Sequence, residues 1–284
     1  MPLMNWVEHE KEYQLGKHKL PYHFESNGHD GRIVDFTNQL FQNIFDISLV
    51  MLENENVREF PIAYSEEQTY STIANAIGRL TPYHGSERYI AKNKNDSERQ
   101  VDFWCRCIDG QGKIRDIWIE CKNIWIENIP NNTNKIETKV RSCHHSKIKK
   151  AIEQIKTIEN KDNEIKIAFF SAYIYYEVGN KPEDLETIHE NAYKEIKTQV
   201  EQYATNQYNI VYSVLDFCET INDKSVDRTW EKLSEEEKRT LINNNPYQIF
   251  LEHDEGYENS CADPEGHFMP YMMLVAVIEE CSKK

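Results

Sequence analysis

The sequence predicts an α/β fold with a mixed central sheet flanked by helices, and three observations carry that prediction. Residues 100–108 and 114–126 alternate apolar and polar side chains with the period of a strand, on either side of a turn signal. Segments 33–52, 66–80 and 146–158 repeat apolar residues every three or four positions, the stripe of a helix buried on one side. Residues 165–176 are rich in aromatic and β-branched side chains, as a buried strand is. The central order is therefore helix, strand, strand, strand, helix, strand.

Taken in chain order, Phe36, Leu40, Phe41, Ile44, Phe45 and Ile47 mark the first helix, and residues 1–64 are expected to form an N-terminal helical extension. Ser65 before Glu66, Glu67 and Gln68 suits a second helix start, a capping hydroxyl with carboxylates in the first turn. Tyr70, Ile73, Ile77 and Leu80 give this helix its inward face, and Thr81-Pro82 ends it. A short strand is expected at 88–93. In the next, Val101, Phe103, Cys105 and Cys107 alternate with Asp102, Trp104 and Arg106. Asp109-Gly110-Gln111-Gly112 turns the chain, after which Ile117, Ile119 and Cys121 take one face and Trp118, Glu120 and Lys122 the other. A polar loop around Pro130 leads to a helix whose Ile148, Ile152, Ile155 and Ile158 point inward, and then to the strand at 165–176.

Residues 65–176 thus read as a core. Residues 177–284 read as an acidic C-terminal α/β extension: a helix at 183–204, a strand at 208–217, a charged helix at 226–242 and an apolar strand at 271–278. The pattern leaves open whether these extend the same sheet or build a second lobe.

A 39% apolar share allows a packed interior, and no stretch reaches the roughly 20 uncharged apolar residues of a membrane helix. Residues 1–11 lack the apolar segment of a secretion signal, so the expected location is cytoplasmic, with no membrane partner. Seven scattered cysteines are read as reduced thiols. The net charge of −15 is uneven: residues 177–284 hold 23 Asp plus Glu against 10 Lys plus Arg, or −13. Residues 135–156 hold seven Lys plus Arg against two Glu, or +5. A basic patch thus follows the third core strand, as nucleic-acid contact requires.

The chemistry concentrates on the hairpin. A turn centred between Gly110 and Gln111 pairs residues whose numbers sum to 221, which sets Asp102 opposite Ile119 and within one residue of Glu120. Lys122, two residues past Glu120, shares its face. Charges among Ile and Trp are costly unless paired or bound to metal. Carboxylates that hold a hard cation, beside an ammonium that orients water and stabilises a negative transition state, are what phosphodiester hydrolysis needs.

Asp102 followed by Glu120-Cys121-Lys122, within this order of elements, resembles the PD-(D/E)XK nuclease superfamily, over about residues 65–176. The resemblance implies a restriction-endonuclease-like αβββαβ core and a metal-dependent endonuclease acting on nucleic acid, DNA foremost, with restriction or phage defence as a role. It implies Asp102, Glu120 and the main-chain carbonyl of Cys121 as ligands of Mg²⁺ or Mn²⁺, Lys122 beside the attacking water, and Glu66, with Glu67 as alternate, as a further carboxylate from the preceding helix. Val101 stands where the name-giving pattern has proline. The rival reading is a catalytically inactive nuclease-fold module for binding or assembly.

Lys147, Lys149 and Lys150, with His144 and His145, are candidates for phosphate contact at a helix start, and the resemblance implies Gln154, on the same helix, as a polar partner beside Lys122. Their bland alternative is a solvated helix face. Cys105, Cys107, Cys121, Cys143, His144 and His145 raise a zinc site, against which the Cys-x-Cys spacing and the apolar strand faces favour buried thiols. The acidic C-terminal part is assigned to recognition, a homodimer contact or a protein partner.

Overall fold

The computed structural model describes residues 7–26, 31–54, 60–63, 66–90, 99–108, 113–130, 136–159, 162–177, 188–203, 208–220, 234, 236–237 and 267–280. In chain order the elements are β1 (Val7–Leu15), β2 (His18–Ser26), α1 (Gly31–Glu53), α2 (Glu66–Leu80), β3 (His84–Ile90), β4 (Arg99–Ile108) and β5 (Ile114–Pro130). They continue with β6 (Ile136–Val140), α3 (Ser142–Lys156), β7 (Glu164–Glu177), α4 (Ile188–Tyr203), β8 (Asn209–Asp216) and β9 (His267–Glu280).

All nine strands join one mixed sheet in the order β1-β2-β8-β9-β7-β5-β4-β3, with β6 added beside β5. Every pairing is antiparallel except β5 with β7, which run parallel from Asp116↔Glu164 to Glu127↔Tyr175. Parallel neighbours need a crossover, and α3 supplies it. Each sheet face is covered by a helix pair. Phe41, Phe45 and Leu49 of α1 and Ile73 and Ile77 of α2 pack on Ile117, Ile119 and Cys121 of β5 and Phe169 of β7. Ile148 and Ile152 of α3 and Ile196 and Val200 of α4 pack on Ile124 and Ile126 of β5 and Phe170 of β7. The two periods in the sequence, near 3.6 and 2, become these two buried interfaces.

Three expectations change. The N-terminal extension is not helical alone, since a hairpin precedes α1: Tyr13, Leu15, Leu20, Tyr22 and Phe24 alternate into the core. Gly16, with φ of 57°, makes the tight turn between its strands. Its strand signal is easily missed because Glu, Lys and His fill the alternate positions. The short strand expected at 88–93 is β3, His84–Ile90. In the central hairpin, Phe103 faces Ile119 and Trp104 faces Trp118, so paired numbers sum to 222 rather than 221. The expected register was one residue out.

The open question about the C-terminal third is resolved for its strands. β9 lies between β7 and β8, and β8 between β9 and β2, so both lie inside the single sheet. The charged helix expected at 226–242 falls mostly outside the described residues. Met272, Met273, Leu274, Val275 and Ala276 of β9 are all 0% exposed, which is the burial of a strand covered on both faces. Among the described residues, no helix is long and apolar enough to cross a membrane.

If β9 is integral to the core, Leu274→Ala should cost about 2–5 kcal/mol in denaturant unfolding, the usual range for a fully buried leucine. Val50→Ala, at a side chain 66% exposed on α1, should stay within about 0.5 kcal/mol.

Candidate functional site

One edge of β5 changes partners along its length. β4 covers it from Ile114 to Ile119, and β6 takes over only at Ile126. Between them, residues 120–125 have no paired strand on that side among the described residues, although β7 continues along the other edge. Main-chain groups there still need partners.

Side chains supply most of them. The Cys121 N–H donates to Asp102 Oδ2 at 2.7 Å, in place of a β4 carbonyl. The Cys121 carbonyl accepts from Lys122 Nζ at 2.7 Å, and the Asn123 carbonyl from Lys147 Nζ at 3.3 Å. The Trp125 carbonyl accepts the main-chain N–H of Arg141, just before α3. The gap in the edge thus gathers a carboxylate and two ammonium groups around three consecutive outward-facing carbonyls and an N–H.

Asp102 is held from two directions, because Tyr70 on α2 donates its hydroxyl to Oδ1 at 2.6 Å. Across β3, the pairs Ser86↔Phe103 and Arg88↔Val101 leave Glu87 and Asp102 between them, and Glu87 has φ of 50°. A non-glycine residue in that region is strained, and such strain concentrates at functional sites. Lys122 Nζ lies 3.9 Å from Asp102 Oδ2, with both side chains mostly shielded. Glu120, beside them on β5, is 1% exposed. Burying a carboxylate is costly without compensating charge or hydrogen bonds.

Asp102, Lys122 and the Cys121 carbonyl are brought together, and Glu120 precedes Cys121 in the strand. Glu66 is the first residue of α2, one helical turn before Tyr70 and on the same stripe. Its side chain, like that of Glu67, lies outside the described residues. The basic helix divides. Lys147 reaches the gap, whereas Lys149 pairs with Glu153 at 3.7 Å and sits 5.8 Å from the Tyr203 ring on α4, on the other flank. Lys150 is exposed, and Gln154 is half-buried on the stripe of Lys147 with its Oε1 enclosed.

The oxygens shown against Lys122, the Asp102 carboxylate and the Cys121 carbonyl, are of the kind that suits a hard cation, and Glu120 adds a buried carboxylate two residues away on β5. Among the described residues no three or more His, Cys, Asp or Glu side chains converge. Cys105 and Cys121 are buried thiols of the core, as the strand faces suggested, and the Cys143 side chain lies outside the described residues.

Two features escaped the sequence reading. Tyr70 marks the inward face of α2 that Glu66 extends by one turn, but nothing in the sequence signals that its hydroxyl holds Asp102. Trp104 and Trp118 pair across the hairpin with ring centroids 6.3 Å apart, and the Arg88 guanidinium sits 3.9 Å from the centre of the Trp104 ring. The period of two from Trp118 to Glu120 is the signal that sets this stack beside the site.

His144 closes the α3 end. Its ring lies parallel to that of Trp125 at 6.4 Å, and it is buried. Burial is the main cause that lowers its pKa to about 3; Lys147 and Arg141 nearby push the same way, against a hydrogen bond with the Asn123 main chain. The imidazole is neutral at physiological pH. Compared with family models, with characterised proteins and with solved structures, the chain matches none.

Unfolding frees His144 to take up a proton from about pH 6.5 downward, whereas the folded state resists until about pH 3. Its contribution should be complete above pH 6.5 and fall away as the pH drops toward 3. His144→Phe, which keeps a ring against Trp125, should flatten the acid side of a melting-temperature profile over that window. A second variant, Tyr70→Phe, should cost about 1 kcal/mol by urea titration, the net worth of one hydrogen bond.

Proposed function

We propose that this protein is a divalent-metal-dependent nuclease that hydrolyses phosphodiester bonds in DNA at the gap in the β5 edge. The observation that carries the reading is the position of Lys122: its ammonium is shared by the Cys121 carbonyl and Asp102, next to the buried Glu120. Oxygens that hold one cation can hold another. A Mg²⁺ or Mn²⁺ ion bound by Asp102, Glu120 and the Cys121 carbonyl would supply charge neutralisation at phosphoryl oxygens and an activated water.

The chain's own residues have distinct tasks in this reading. Tyr70 and the Cys121 N–H fix the Asp102 carboxylate so that it need not reorient on binding. Lys122, once displaced from the carbonyl, orients the attacking water. Lys147 leaves the Asn123 carbonyl for a phosphate oxygen one step along the strand, and Glu66, the first residue of α2 and one turn before Tyr70, is the candidate for a further carboxylate. The succession α2, β3, β4, β5, β6, α3, β7, with α3 in the crossover between the parallel strands, supports a restriction-endonuclease-like core to which β6 is an added strand. Lys149 has no place in this scheme.

The test is incubation of the purified chain with labelled DNA and RNA in Mg²⁺, Mn²⁺ or EDTA. Cleavage that needs the metal is expected; cleavage that persists in EDTA would overturn the metal-dependent reading, and absent cleavage of every substrate would favour an inactive binding module. Glu120→Gln and Lys122→Ala should each lower the rate by about 100-fold or more, the scale for removing one group that stabilises developing charge. Isothermal titration should show metal affinity reduced in the first and largely kept in the second. Lys147→Ala should also lower the salt slope of DNA binding by about one, while Lys149→Ala leaves it unchanged.

A further inference from the structure

The sheet's other notable concavity has no part in that scheme. Where the first turn of α1 and the last turn of α2 meet the ends of β4 and β5, a cleft of about 510 Å³ opens, lined by Arg32, Arg79, Arg106 and Arg115. Small-molecule sites occupy about 300–1,000 Å³. Four of the ten arginines in this acidic chain therefore line one cavity.

Arg32 stands in the first turn of α1, where the helix dipole disfavours a cation and no acidic residue is present. Asp35 is the only carboxylate among the described lining residues. Arg106 is held by Asp116 through Nε at 2.8 Å and an Nη at 3.0 Å and lies 5.4 Å from the Trp104 ring, so its guanidinium is engaged there and the cleft relies on the other three arginines. The remaining wall is apolar and partly open: Tyr83 is 58% exposed and Ile108 64%, two of the four large hydrophobic residues exposed among those described. Guanidinium groups match phosphate with forked, charge-assisted hydrogen bonds, and an aromatic edge beside them offers a place for a base or sugar.

We propose that this cleft binds the phosphate of a nucleotide, either free or at the end of a nucleic-acid strand, with Arg79 and Arg115 as principal contacts. The site is separate from the gap in the β5 edge, and its occupation does not require cleavage there.

Calorimetric titration of the full chain in EDTA, which silences metal-dependent cleavage, tests this with three probes: ATP, AMP and a trinucleotide with and without a 5′-phosphate. One ligand per chain is expected, with affinity that falls as salt rises. ATP or AMP binding identifies a free nucleotide, and binding confined to the 5′-phosphorylated trinucleotide identifies a strand end. Arg79→Ala and Arg115→Ala should each weaken the bound probe by about tenfold, the loss of one charge-assisted partner. Arg79 is exposed at a helix end, so that variant should fold even if the other does not. Absence of binding by all probes, or binding indifferent to Arg79→Ala, would overturn the assignment.

Discussion

The candidate site depends on one constraint, that every buried main-chain N–H and C=O must find a partner. β5 meets it on one edge through its long parallel pairing with β7. On the other edge the pairings of β4 and β6 leave six residues without a paired strand among those described, and Asp102, Lys122 and Lys147 side chains bond main-chain groups there. Asp102, Lys122 and Lys147 are at the gap for a structural reason before any chemical one is considered. Such partners are replaceable, since a metal or a phosphate can take over a hydrogen bond that an adjacent strand could not release.

The same gap sets the electrostatics. Lys122 and Lys147 approach from β5 and α3, Asp102 from β4, and Glu120 from within β5, so opposite charges meet where water is largely excluded. His144 stays neutral in this setting, so the charge of the α3 end rests with Lys147 and Arg141. A chain of net charge −15 thereby keeps a local field that an anionic ligand can use. Arginines concentrate separately, at the opposite end of the β4–β5 hairpin, where forked geometry matters more than a point charge.

The scaffold that holds these groups is broad. Helix pairs cover both faces, and the centre of the sheet is built from β9, β7 and β5, strands distant in sequence. β9 lies between β8 and β7, so residues 267–280 and the site-bearing hairpin share one sheet. Tyr70 joins core to site at residue scale, being packed on Phe103 at 5.1 Å between ring centroids while its hydroxyl holds Asp102.

By itself the sequence determined the elements that repeat locally: the helices around Phe41, Ile73 and Ile148, the strands around Phe103, Ile119 and Phe169, and the shared face of Glu120 and Lys122. Those follow from period alone, because a side chain's direction is set by its own backbone. It also grouped Asp102 with Glu120, though with a register one residue out, since the turn that sets the register carries no signal of its centre. Only the tertiary structure decided that the N-terminal hairpin and β9 share the sheet, that Lys147 turns to the site while Lys149 turns to α4, and that four arginines far apart in the chain line one cleft. Each of these depends on which edge meets which over long sequence separations, and on where two strands part, and neither is written in the spacing of residues along a single element.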